Sequence, residues 1–395
     1  MAEAMVEPQR GRSLLKTLAI VATAFLAGCQ TLVPKGPPPV EPSAPPPETR
    51  PTVEQGIPTD TERNRVALLV PLTGTNAGVG QSIANATMMA LLDSQSQRVR
   101  ITNYDTSKGA ALAAQQALSD GNKLIIGPLL SENVKIVSPI ARAAHVPVIT
   151  FSNDVSVAGN GTYVLGYSPA QSIDRVVDYA HQRGVTQYAG LIPVGLYGRR
   201  ASTAFLRAVE DAGGEVMALE TYGRSRDALA GAVQRLAAKG PYGAVLIADT
   251  GETAAAAAPL IRKSGGSERL LGTELWNTES SLAGKSVLNG AWFASVSDGL
   301  YRQYAAKYRA RFGKAPYRLS TLGYDVVLLT VRLARDWKPG TAFPEPRLRE
   351  EGGFSGIDGA FRFGRDGVAQ RALEVQEIRG GTIITVSPAP KGFGK

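Results

Sequence analysis

Two successive series of strand and helix, each carried by apolar strands, restrict this chain more than any other feature. Val66 to Val70 is apolar throughout, as a strand covered on both faces must be. Pro71-Leu72-Thr73-Gly74 breaks it, and Ile83 to Leu92 then reads as a helix. Strand Val99 to Tyr104, helix Ala110 to Leu118, strand Leu124 to Ile126, helix Ser131 to Ala144 and strand Val148 to Phe151 follow. The rhythm restarts with helix Ile173 to Gln182 and strands at Tyr188 to Ile192, Val216 to Glu220, Ala244 to Ala248 and Leu270 to Thr273. Helices Arg200 to Ala212, Asp227 to Ala238 and Thr253 to Lys263 separate those strands. Such alternation requires crossover helices on both faces of a parallel sheet, so the expected fold class is α/β with two doubly wound lobes. Beyond Val296 the pattern changes. Tyr301 to Phe312 and Leu322 to Trp337 read as helices, and Ala360 to Phe363, Leu373 to Ile378 and Thr382 to Val386 as short strands. Glycine turns at Gly364 to Gly367 and Gly380-Gly381 join these strands, which is hairpin chemistry.

The N-terminal region reads as processing and tether. Arg10, Arg12 and Lys16 precede an apolar stretch from Thr17 to Ala27 that is too short to span a bilayer, so residues 1–28 have the layout of a secretory signal. Leu26-Ala27-Gly28-Cys29 resembles the lipobox of bacterial lipoproteins, which implies acylation of Cys29. Cys29 is the only cysteine, so a lipidated chain keeps no thiol for a disulfide, a zinc cluster or nucleophilic chemistry. Residues 29–60 form the expected linker. Gly36 to Pro58 is proline-rich, favours polyproline II, and at ~3.1 Å per residue reaches on the order of 70 Å.

Charge and motifs exclude several classes. The net charge is +9, and loss of residues 1–28, with three basic and two acidic side chains, leaves about +8. Without a run of five basic residues, nucleic acid is not an expected partner; weak attraction to anionic lipids or cell-wall polymers is compatible. Gly74 to Gly80 followed by Asp105 lacks a dinucleotide fingerprint's third glycine, since Ile83 stands there. No complete phosphate loop or Gly-x-Ser-x-Gly elbow occurs, no Ser-x-x-Lys follows the signal segment, and His145 and His181 lack metal-ligand spacing. The expectation is a binding protein, not an enzyme, with no cofactor and no metal.

Several segments together resemble the type I periplasmic binding proteins of the leucine-binding group. They are Val70-Pro71-Leu72-Thr73-Gly74 with Gly80, Ile126-Gly127-Pro128-Leu129-Leu130-Ser131, Ile140-Ala141 through Val146-Pro147-Val148-Ile149, and Gly323-Tyr324-Asp325. Phe354-Ser355-Gly356 through Arg365-Asp366-Gly367 to Gly380-Gly381 continues the likeness, which covers some 320 residues. It implies two Rossmann-like lobes joined by three crossovers, with residues 61–167 and 297–343 in lobe 1 and residues 168–296 and 344–388 in lobe 2. Ligands of open α/β sheets sit beyond the carboxyl ends of the strands, and in this family they lie between the lobes.

Candidate ligand contacts follow from those strand ends. Ser131 opens a helix, where its hydroxyl either grips a ligand or serves as an N-cap. Thr150 and Ser152 flank Phe151 and point to one side, toward the cleft or into a turn. Tyr197 resembles the family's aromatic ligand wall or packs in the core. Asp249 and Thr250 end one later strand and Glu274 another. The resemblance implies an acid near Glu274 to hold an ammonium group, whereas Trp276 beside it is expected to crowd the pocket.

The body also looks like that of the penicillin-binding-protein activator lipoproteins. The expected role is a regulator contacting a penicillin-binding protein (a peptidoglycan synthase); the alternative is an amino-acid-binding subunit passing ligand to an ABC permease. Gln30 after the acylated cysteine, by the bacterial sorting rule, implies outer-membrane anchorage facing the periplasm.

Overall fold

A computed structural model describes residues 61–264, 268–278, 281–390 and 392–393. The signal segment, Cys29 and the whole linker lie outside the described residues.

The first lobe begins with β1 (Asn64–Val70), α1 (Ala77–Ser94), β2 (Val99–Asp105), α2 (Ala110–Ser119) and β3 (Leu124–Ile126). It continues through α3 (Ser131–Ala143), β4 (Val148–Thr150) and β5 (Thr162–Val164). These five strands form a parallel sheet in the order β2-β1-β3-β4-β5. Alternation along β1 decides which layer each residue joins. Val66, Leu68 and Val70 pack in one core, while Ala67 and Leu69 pack with Ala113, Ala117, Val137 and Ala141 of α2 and α3 on the other face.

The second lobe repeats the plan. It comprises α4 (Pro169–Gln182), β6 (Gln187–Pro193), α5 (Leu196–Asp211), β7 (Glu215–Tyr222), α6 (Arg226–Ala237) and β8 (Ala244–Ile247). After these come α7 (Gly251–Lys263), β9 (Arg269–Gly272) and β10 (Trp292–Ser295). Its parallel strands run β7-β6-β8-β9-β10, the same order as in the first sheet. The two lobes share one packing device as well. A Cβ on Gly80 would fall on the Pro71 carbonyl, and a Cβ on Gly198 on that of Pro193, so each leading strand can be crossed tightly by the helix after it.

From β10 the chain returns to the first lobe. There α8 (Gly299–Phe312) and α9 (Ser320–Leu333) pack on α1. A three-stranded antiparallel sheet follows, made of β11 (Phe354–Gly356), β12 (Gly359–Phe363) and β13 (Ala369–Arg371). Then β14 (Glu374–Arg379) and β15 (Thr382–Ser387) add antiparallel strands to the β10 edge of the second sheet. The chain therefore passes between lobes three times, at residues 165–168, 296–298 and 372–373.

One boundary differs from the expected partition. Residues 344–371, assigned from sequence to lobe 2, belong to lobe 1. Phe354, Phe361, Phe363 and Ala369 are buried with Leu322, Val326 and Leu329 of α9, and Val164 of β5 donates its amide to the Gly367 carbonyl at 2.9 Å. Glycine turns announce a hairpin, but not the surface its aromatic face will cover. Phe361 is wholly buried, so Phe361→Ala should cost about 3–5 kcal/mol. Denaturant unfolding checks this, and a loss below about 1 kcal/mol would contradict the assignment.

Candidate functional site

A cavity of about 350 Å³ opens where strand ends of both sheets meet the chain crossings. Its size falls at the lower end of the ~300–1,000 Å³ range of small-ligand pockets. The first lobe supplies Leu129 and Leu130 after β3, Phe151 and Asn153 after β4, and Val79 from α1. From the second lobe come Gln171 and Ser172 of α4, Glu274 and Leu275 after β9, and Ser295 at the end of β10. Each crossing also contributes: Tyr167 and Ser168 from the first, Val296 from the second, and Arg371 and Leu373 bracketing the third. Arg318 and Leu319, just before α9, complete the wall.

Glu274 is the one expected ligand residue that lines this cavity. It accepts a hydrogen bond from Ser172 Oγ and another, at 3.1 Å, from the Tyr197 hydroxyl. Burial raises its carboxyl above the usual carboxylate range, and those hydrogen bonds offset the rise only in part. A protonated Glu274 can itself donate to Ser172, whose own hydrogen then goes to the Pro169 carbonyl 3.0 Å away. Tyr197 stands behind Glu274, also 3.0 Å from Thr273 Oγ1, and supports the acid without lining the cavity.

The other expected residues are not brought to the cavity. Ser131 does open α3, but the lining stops at Leu130. Thr150 and Ser152 share a side, as period 2 requires, yet it is the side away from the cavity, and Phe151 and Asn153 occupy the facing positions. Thr150 donates to the Pro128 carbonyl at 2.6 Å and accepts from the Ser152 amide; Ser152 Oγ accepts from the Asp154 amide. Both hydroxyls therefore serve the turn. Asp249 accepts from the Tyr222 hydroxyl at 2.8 Å, and Thr250 caps α7 by accepting from the Thr253 amide. Trp276 does not crowd the cleft. It is wholly buried in the second lobe's core, 5.9 Å between ring centroids from Phe293, and a Cβ on Gly272 would collide with its indole.

Sequence reasoning missed a buried charge network beside the cavity. Arg318 Nη1 donates to Asp358 Oδ1 at 2.6 Å and to Thr321 Oγ1 at 3.1 Å. The Tyr167 hydroxyl and Thr321 Oγ1 both donate to Asp358 Oδ2. Asp325 accepts from the amides of Ile357 and Asp358. Arg371 lies over the Tyr167 and Phe361 rings and donates Nη2 to the Leu165 carbonyl at 2.8 Å. Burial alone would raise Asp358, but the Arg318 and Arg371 charges hold it below the usual aspartate range. Burial, then the Asp358 charge, push Asp325 well above that range. One signal was available for Arg371: it occupies an inward position in the alternation Ala369-Gln370-Arg371, where an arginine has no ordinary packing role.

The comparisons with known proteins agree with this architecture. Residues 64–382 match the model of a periplasmic binding protein family, and the chain belongs to that family. An uncharacterised protein of Rickettsia prowazekii is 25% identical over 175 residues, 43% of this chain and 46% of that one. The penicillin-binding protein activator LpoA of Photobacterium profundum is 24% identical over 165 residues, 40% of this chain and 27% of the activator. The matched stretches thus span less than half of either relative's length. A periplasmic ligand-binding protein of a branched-chain amino acid ABC transporter from Burkholderia xenovorans superposes with a TM-score of 0.68 at 16% identity, covering 84% of this chain and 97% of its own. A Rhodopseudomonas palustris solute-binding protein, in complex with 3,4-dihydroxybenzoic acid, gives 0.63 at 18% identity, covering 83% and 97%. This is the two-lobed α/β fold of the leucine-binding type, and its family is one of ligand-binding periplasmic proteins.

The buried carboxyls set a pH dependence. Asp325 binds its proton more tightly when folded, so the stability tied to it is full below the unfolded aspartate value and is lost as pH rises through the raised folded value. Glu274 acts in the same direction, while Asp358, held low, is already charged and adds no slope there. The melting temperature should therefore fall by several degrees between about pH 5 and pH 8, and Asp325→Asn should flatten that fall. An unchanged slope in the variant, measured by thermal denaturation, would refute the assignment.

Proposed function

We propose that this protein captures a small ligand in the cavity between its lobes, without catalysis, as the solute-binding member of a transport system. The observation that carries this reading is the cavity itself, enclosed by both lobes and all three crossings, with an acid from one lobe and arginines beside the hinge. Trp276 supplied the main steric objection to ligand capture, and its burial in the core removes that objection. Glu274, with Ser172 and Tyr197 behind it, is the second lobe's ligand contact. The Burkholderia and Rhodopseudomonas neighbours, one a branched-chain amino acid transport component and one holding an aromatic acid, support a small organic solute.

Titration calorimetry of the full chain against amino acids and small organic acids tests the reading. At least one should bind with about micromolar affinity, near 8 kcal/mol. Asn153→Trp, at an exposed position on the cavity rim, should reduce that binding by at least about tenfold. No saturable binding across the panel would overturn the proposal.

A second reading rests on the sequence match to the Photobacterium activator: a regulator that contacts a penicillin-binding protein from an outer-membrane anchor at Cys29. A tether such as residues 29–60 would give a body the reach to cross the periplasm. Affinity capture from solubilised envelopes separates the two readings. A penicillin-binding protein retained at near-stoichiometric yield favours the regulator, and a permease retained in its absence rules the regulator out.

A further inference from the structure

Two arginines in the cavity wall carry donors that the protein leaves unused. Arg318 and Arg371 are each only 8% exposed. Arg318 spends Nη1 on Asp358 and Thr321, while its Nε and Nη2 have no acceptor. The Asp298 carboxylate is 3.8 Å from Nη2, outside hydrogen-bond reach. Arg371 spends Nη2 on the Leu165 carbonyl, and its Nε and Nη1 have no acceptor. A buried charged donor left unpaired keeps its desolvation cost uncompensated, so two such heads beside one opening call for a partner. Both border the same cavity, and both bear on the same Asp358 carboxylate.

We propose that Arg318 and Arg371 form an anion-holding end of this cavity, and that the ligand it takes is a monocarboxylate with an apolar body. The proposal rests on the small-ligand reading above and names the chemistry of that ligand. A carboxylate offers two oxygens with about four acceptor sites, which matches the unused donors of two guanidinium forks. Charge points the same way. Arg318 and Arg371 face one carboxylate held in its charged form, Asp358, while burial raises Asp325 and weakens its negative charge, so the buried cluster leans positive. Asp298 is 27% exposed and shares its charge with solvent. A single ligand carboxylate balances that excess, whereas a phosphate dianion overshoots it. Beyond the arginines, Val79, Leu129, Phe151, Val296, Leu319 and Leu373 offer only hydrocarbon. Glu274, raised by burial, is a weaker partner for a ligand ammonium group than a solvated carboxylate would be. The subsite is separate from Ser131, Thr150 and Ser152, the strand-end positions expected from the sequence.

The test compares acids with their neutral isosteres on the full-length protein by titration calorimetry. The probes are 4-methylpentanoate and benzoate, 4-methylpentanamide and benzamide, and leucine. At least one acid should bind, with its amide weaker by about tenfold or more. Arg371→Gln should weaken the acid by a similar factor and leave the amide unchanged, which a folding defect would not do. Arg318 also anchors Asp358, so Arg318→Gln is the less suitable variant, and the acid-to-amide ratio on the unaltered protein decides the matter if Arg371→Gln fails to fold. Equal binding of acid and amide overturns the anion subsite while leaving small-ligand capture standing. Binding of leucine without either acid also overturns it, because an ammonium group would then dominate. Silence from every probe overturns the subsite, and silence extending across the broader panel removes the small-ligand reading as well.

Discussion

The ion pair between Arg318 and Asp358 is buried on both sides, and the attraction in a pair so placed offsets the loss of hydration only when further hydrogen bonds support the carboxylate. Asp358 finds that support in Tyr167, Thr321 and the neighbouring Arg371. Those partners come from different crossings of the chain: Tyr167 from the first, Arg371 from the edge of the third, with Asp298 of the second close to Arg318. The network therefore ties together the segments through which the lobes are joined. Fold stability does not require charge here, because apolar side chains of equal volume hold such a position as well or better. What charge adds is a set of donors beside the cavity, some of which are not consumed by the protein.

Much of the architecture could be read from the chain because its physics is local. A continuous apolar run such as Val66 to Val70 has one explanation in a soluble α/β body, a strand covered on both faces, and alternation with helices then forces parallel pairing. Short elements escaped. β5 and β13 have three residues each, β11 likewise, and no period can be measured over so few positions. The lobe to which the small antiparallel sheet belongs depends on where three phenylalanines find cover, which is a tertiary choice.

The site was less legible, for reasons that differ by residue. Period 2 put Thr150 and Ser152 on a common side correctly, but parity decides which side, and the bond from Thr150 to the Pro128 carbonyl assigns them to the turn. Glu274 and Trp276 fall on a 3-10 turn, Glu274–Thr278, where each residue advances about 120° around the axis. Two positions apart on such a turn face different ways, so the acid meets the cavity while the indole enters the core. Asp249 and Thr250 have side chains suited to caps and turns, and they were used that way. The arginines escaped because burial of an arginine depends on a distant partner, and Asp358 stands 40 residues from Arg318.

The lobes are alike in strand order and in the glycine contacts that seat their first helices, but they contribute unlike chemistry to the cavity. The first lobe and the crossings bring hydrocarbon and two guanidinium groups; the second brings an acid inclined to stay neutral, with a serine beside it. A ligand that touches one lobe alone has equal affinity for open and closed arrangements and shifts nothing, however tightly it binds. A ligand long enough to reach from the arginines to Glu274 gains its second set of contacts only when the lobes approach, and its binding energy then becomes a change in their separation. That output is common to both roles considered for this chain, because a permease and a synthase alike could read the distance between two lobes. Under the proposed small-ligand reading, the chemistry of the cavity would determine what signal the molecule carries before the identity of its partner determined who received it.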